Sequence, residues 1–137
     1  MKTNCDLTIY NVYVDAATRS EKYARTQVKG VYWENRRAVN KLRSANLSAD
    51  KAMVIIPFGH GANYMEPVQW RALTTKTGSW TLQEGDIIVK GLVSDELSSS
   101  FTASALEKKY NDVLKITSVD VMDQGSLAMQ HWRLGAS

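Results

Sequence analysis

Trp80-Thr-Leu-Gln-Glu-Gly-Asp-Ile-Ile-Val-Lys-Gly91 is the stretch that decides the fold. It reads as strand, tight turn, strand. Trp80, Thr81 and Leu82 suit a pleated surface, and Gln83-Glu84-Gly85-Asp86 supplies the turn, with Gly85 free to take a positive φ. Ile87 to Val89 is then a short β-branched run, apolar on both faces and closed by Gly91. Such a run belongs inside a sheet or barrel. Nothing in the stretch sets a nucleophile beside a base, so its signal is architectural.

Outward from it, the same pattern repeats. Asp6 to Val14 is dense in β-branched and aromatic residues, with Leu7, Ile9, Asn11 and Tyr13 on one face and Thr8, Tyr10, Val12 and Val14 on the other. Lys22 to Trp33 is a second long extended segment that pairs with it antiparallel. In this reading Val28, Gly30 and Tyr32 face one way and Val31 and Trp33 the other, with Gly30 marking a bulge or barrel corner. Met53 to Phe58 is a strand apolar on both faces, and Pro57, which has no N–H for a ladder, marks its end or an edge position. Val113 to Val121 alternates cleanly, with Val113, Lys115, Thr117, Val119 and Val121 against Leu114, Ile116, Ser118 and Asp120. Met129 to Leu134 closes the set, with Gln130, Trp132 and Leu134 together.

Two short helices interrupt the strands. Pro67 to Leu73 is a helical turn with proline in its first turn and Trp70 and Leu73 on one side. Ser104-Ala-Leu-Glu107 has capping-box spacing and predicts a helix over about Ala105 to Tyr110. The fold class is therefore mainly β: one small antiparallel β-barrel or sandwich of about seven strands and two short helices, a single domain over 1–137.

The totals agree with this. The chain of 137 residues is 44% hydrophobic and 23% charged, an ordinary globular composition large enough for a core without staples. No apolar run approaches the roughly 20 residues of a membrane helix, and Met1 to Asp6 lacks a signal-peptide core. A single cysteine, Cys5, precludes an intrachain disulfide. The expectation is a soluble protein made inside the cell.

The net charge of +3 is uneven. Between Arg36 and Lys51, the five cations Arg36, Arg37, Lys41, Arg43 and Lys51 stand against Asp50, leaving +4 there and −1 elsewhere. A patch of this kind attracts phosphate or an acidic protein surface, or is simply a solvated loop. The loop over 35–50, with Ala38-Val39 and Leu42 as a short strand and a turn at Ser44-Ala45-Asn46, and the glycine-rich loop over 59–65 are the candidate interaction loops. The candidate contact residues are Arg36, Arg37, Lys41, Arg43 and His60.

Catalytic chemistry finds little support. His60 and His131 are far apart and lack Cys or acidic partners at metal-ligand spacing. Cys5 has no neighbour that would activate it. Asp86, Asp95 and Glu96 are not at a spacing that demands an acid–base pair, and Asp86 more simply bonds turn amides. No phosphate-binding glycine loop, dinucleotide fingerprint or nucleophile elbow is present. No cofactor is expected. The four tryptophans, Trp33, Trp70, Trp80 and Trp132, raise base stacking on a small barrel, but their apolar contexts point to the core.

Several pieces together carry a resemblance: Gly30-Val-Tyr-Trp33-Glu34, Ile55-Ile-Pro57-Phe58, the Trp80–Gly91 stretch, and Ser118-Val-Asp120 followed by Gly125-Ser and Met129-Gln-His-Trp132. In that order they resemble a family of small structural proteins of tailed bacteriophages and prophages of Gram-positive bacteria, over almost the whole chain. The resemblance implies a non-enzymatic minor capsid or head-completion (stopper) protein in the virion neck, made in the host cytoplasm. Its implied partners are further copies of itself in a ring, the portal or adaptor and tail proteins, and packaged double-stranded DNA in the channel, with no membrane. The rival readings are a minor tail or head-decoration protein and a single-strand nucleic-acid-binding barrel.

Overall fold

The computed structural model describes residues 3–15, 17–35, 52–60, 62–74, 76, 78–98, 100–110, 112–126 and 129–137. Its strands are β1 (Cys5–Val14), β2 (Glu21–Asn35), β3 (Ala52–Pro57), β4 (Ile87–Lys90), β5 (Val113–Met122) and β6 (His131–Ala136). They close into an antiparallel barrel in the order β1-β2-β3-β6-β5-β4. Two short helices, α1 (Pro67–Arg71) and α2 (Ala103–Lys109), and one 3-10 turn, Phe58–His60, complete the described elements. The mainly β barrel with two helices is as the sequence implies, with six strands in place of about seven.

The strand that does not form is the first arm of the opening stretch. Trp80 makes one isolated parallel bridge to Tyr64, and Thr81 to Gln83 run on without a ladder. The reason lies in Asn11 of β1. Its carboxamide oxygen accepts from the Thr81 N–H at 3.2 Å and its Nδ2 donates to the Thr81 carbonyl at 2.7 Å. A side chain thus takes the backbone groups a neighbouring strand would have used. The turn itself forms as read: Gly85 has φ of 91° and the Asp86 N–H donates to the Gln83 carbonyl at 3.3 Å. Ile87–Lys90 pairs with β1 and β5 and lies mid-wall.

Two register shifts reassign faces along the long strands. At Gly30, φ is +79° and the β1–β2 pairing jumps between Leu7↔Val28 and Cys5↔Val31. The extra residue swaps the alternation, so Val28, Val31 and Trp33 all enter one core, against the expected split of Val28 from Val31 and Trp33. A second shift, between Ile116 and Ser118 of β5, turns Val119 toward the same core as Leu114 and Ile116. Clean alternation over the whole strand does not hold, for the same reason.

The barrel interior is filled by Leu7, Ile9, Val54, Ile56, Ile88 and Leu134, capped by an aromatic cluster. Trp132 lies 4.5 Å from Phe58, 4.4 Å from Tyr64 and 5.9 Å from Trp80, ring centre to ring centre. Fully burying each aliphatic side chain contributes roughly 1.5–3 kcal/mol. The outer face of β1 and β4 is covered by a second layer. Tyr10, Ile87 and Val89 pack there against Val93 and against Leu106 of α2. The helix starts two residues earlier than its expected position, because Thr102 is the N-cap and its hydroxyl accepts from the Ala105 N–H.

Candidate interaction site

Among the described residues, a cleft of about 620 Å³ opens beside the first half of β2, lined by Arg25, Gln27, Lys29, His60, Asn63 and Trp80 among others, and two further clefts have similar volumes. Its origin is local. Pro57 ends β3, and the chain turns away through a single 3-10 turn, Phe58–His60. β3 therefore pairs only with the last four residues of β2, from Tyr32↔Ile55 to Asn35↔Ala52. Beyond the Gly30 corner the wall gapes, and the 62–63 and 78–80 segments form its far side.

His60 sits at one end of this cleft, locked to the corner. Its Nδ1 lies 2.7 Å from the Gly30 carbonyl and 3.1 Å from the Lys29 carbonyl. Two carbonyls face that nitrogen, so it carries the proton and donates. A Cβ at position 30 would stand 2.5 Å from Nδ1. Only glycine fits beneath the ring.

The cleft is electropositive. Arg25, Lys29 and His60 line it, and no carboxylate does so among the described residues. Arg25 Nη1 and Gln27 Nε2 both donate to the Val93 carbonyl, at 2.9 and 3.0 Å. Glu96, 3.8 Å from Arg25, is largely exposed, Asp95 also acts on Arg25 electrostatically, and the Asp6 carboxylate accepts from the Gly30 N–H at 3.0 Å. A smaller cleft of about 190 Å³ continues along the same strand past Tyr23 and Arg25 toward Lys76. The Lys76 ammonium donates to the Leu73 carbonyl at 2.7 Å and lies over the Tyr13 and Trp70 rings.

Of the sequence-predicted contact residues, His60 is thus brought to the basic cleft, while Arg36, Arg37, Lys41 and Arg43 lie outside the described residues, as do the short strand expected at Ala38-Val39 and Leu42 and the turn at Ser44-Ala45-Asn46. The segment that carries them leaves the barrel at Asn35 and returns at Ala52, which are paired. Arg25 and Lys29 were legible only as polar positions alternating with Ala24, Thr26 and Val28. No local motif distinguishes such a strand from any solvated sheet face.

A match to a model of a family of unknown function, DUF6751, covers residues 2–137. The chain belongs to that family. No curated protein and no solved structure matches it.

The other reactive groups of this DUF6751 chain have structural partners. Asp86 is fully buried, with its carboxylate accepting from Asn11 Nδ2 at 2.7 Å, the Val12 N–H at 3.0 Å and Gln83 Nε2 at 3.3 Å. Burial pushes its carboxyl above the usual range, and these donors oppose that push. Asp95 is held below the usual range by the Tyr110 hydroxyl and the Lys109 ammonium, at 2.5 and 2.9 Å. Asp86 is therefore apart from Asp95 and Glu96, which both act on Arg25. Burial raises the Cys5 thiol, which weakens it as a nucleophile. His131 Nδ1 bonds the Met129 carbonyl at 2.9 Å. Among the described residues, no three His, Cys, Asp or Glu side chains converge as metal ligands. All four tryptophans are buried, as their apolar contexts imply.

Proposed function

We propose that this chain is a non-enzymatic structural protein of a tailed-phage virion, a head–tail connector or head-closure subunit that assembles as a ring between portal and tail. The resemblance of its ordered sequence segments to such proteins motivates the reading. The observation that carries it is the closed barrel whose rim, at the paired Asn35 and Ala52, tethers a segment of net charge +4. A closed barrel whose sequence carries a basic stretch between two paired strand ends suits a ring subunit, which contacts identical neighbours around the ring and different proteins above and below it. In such a ring the basic segment contacts packaged DNA or an acidic portal surface.

Cryo-electron microscopy of purified particles, focused on the neck, tests the reading. Density for this barrel as a ring beneath the portal is the expected result. Density along the tail or on the capsid instead would make the chain a minor tail or head-decoration protein. Absence from the particle would overturn the virion role. Changing Arg36, Arg37, Lys41 and Arg43 together to Ser tests the DNA contact, since particles that still retain DNA and infect normally would exclude it.

A further inference from the structure

Among the described residues, the backbone of β2 beside the basic cleft has an unpaired edge. Three observations fix which groups point there. Asp15 N–H donates to the Ser20 carbonyl, the Gly91 N–H donates to the Asp6 carbonyl, and the Val12 N–H points to Asp86. Even-numbered residues of β1 therefore turn toward β4 and odd-numbered ones toward β2. With the register Leu7↔Val28, Ile9↔Thr26, Asn11↔Ala24 and Tyr13↔Lys22, the even-numbered residues of β2 bond to β1. Tyr23, Arg25 and Gln27 turn their N–H and C=O groups the other way, into the clefts, where the described residues offer them no backbone partner.

We infer that this edge is a strand-addition site, and that its occupant is an extended acidic segment of another protein, paired to Tyr23–Gln27 and read by Arg25, Lys29 and His60. An unpaired strand edge is a template for a further strand, with the main chain supplying affinity and the flanking side chains specificity. Ala62, Asn63, Gly78 and Trp80 line the cleft opposite this edge. Charge selects the class of occupant. Among the described residues, Arg25, Lys29 and Lys76 line the two clefts against Glu96 alone, and Arg25 Nε has no hydrogen-bond partner. His60 closes one end by taking the Lys29 and Gly30 carbonyls, which fixes where pairing stops. Nothing in this requires the virion role.

Amide hydrogen exchange followed by NMR on the full chain tests it. In dilute free protein, the Tyr23, Arg25 and Gln27 amides exchange faster than those of Ala24, Thr26 and Val28. A capped hexapeptide alternating glutamate and valine slows the three odd-numbered amides by about tenfold or more, and a lysine–valine counterpart does not. Lys29→Glu weakens the acidic peptide. Gln27→Pro, which deletes an N–H facing the cleft and none facing β1, abolishes its binding while far-ultraviolet circular dichroism keeps the wild-type signal. Should that proline disturb the fold, Lys29→Glu still decides the matter. The proposal is overturned if the odd-numbered amides are already protected in dilute protein, or if millimolar acidic peptide leaves them unchanged. It is equally overturned if protection rises with protein concentration alone, which would make the occupant a second copy. Equal protection by a DNA duplex would overturn it too, the cleft then reading phosphate.

Discussion

Gly30 and His60 are fitted to one another at the corner of the barrel: the imidazole Nδ1 donates to the Gly30 carbonyl at 2.7 Å and occupies the space a side chain at position 30 would need. The glycine also holds φ of +79°, in the left-handed region. One residue therefore supplies the bend in β2 and the seat for the turn that follows β3.

Gly30→Ala is expected to destabilise the protein by about 2–4 kcal/mol, combining the left-handed backbone penalty with the clash against the ring. In a His60→Ala background the same change should cost about 1–2 kcal/mol, since only the backbone penalty remains. Urea unfolding of the four proteins gives the cycle. Equal costs in both backgrounds would show that the ring yields freely.

Asn11 and Asp86 form one buried polar unit, so removing either strands partners of the other. Asn11→Ala leaves Thr81 N–H and C=O without their side-chain partner, and Asp86→Ala does the same to the Val12 N–H and Asn11 Nδ2. Each change is expected to cost about 2–4 kcal/mol. The double variant should cost less than the sum, as expected for residues in one network. An additive result would mean that the two act separately.

Asp86 also gives stability a pH dependence of known sign. Its folded-state carboxyl lies above the unfolded value of 3.8, because burial penalises the charged form. The folded state therefore holds the proton more tightly than the unfolded state. That contribution is fully present below 3.8 and is lost as pH rises through the folded value. The stability difference between wild type and Asp86→Asn, read from urea midpoints through the acid range, should thus shrink with rising pH. Asp15 and Asp95, both held low, act oppositely: their contribution is present above the ordinary carboxylate value and is lost as pH falls through the folded values. They are unchanged in the variant, and so they cancel in the difference. A difference that is flat or grows with pH would contradict the burial argument.

Leu106 ties α2 and the 92–102 loop to the outside of β1 and β4 and is fully buried. Leu106→Ala is expected to cost about 2–4 kcal/mol. The loss should concentrate in the outer layer, with faster amide exchange over Val93 and α2 than over Leu7, Ile9 and Ile56 in the barrel interior. Uniform acceleration would mean that the two layers unfold as one unit.

Much of the fold was legible because it rests on local signals. Pro57 ends its strand for want of an N–H, Gly85 supplies the turn, and Gly30 marks the corner. The β-branched density of Cys5–Val14, with Thr8, Ile9, Val12 and Val14, identifies a strand whatever it pairs with. The site was far less legible. His60 stood out between two glycines, but its meaning depends on the Gly30 and Lys29 carbonyls thirty residues earlier in the chain. Arg25 and Lys29 gain importance only from what β3 fails to cover.

The sequence by itself determined the elements and the class, since propensity, turn chemistry and alternation act over a few neighbouring residues. Tertiary structure alone decided three further matters. Asn11 took the Thr81 backbone and kept Trp80–Leu82 from becoming a strand. Two bulges, each a single extra residue, reassigned Val28 and Val119 to the core. The bend at Gly30 left one edge of β2 open within a basic cleft. Each depends on a partner fifteen or more residues away, and such a meeting leaves no periodicity in the chain for a sequence to display.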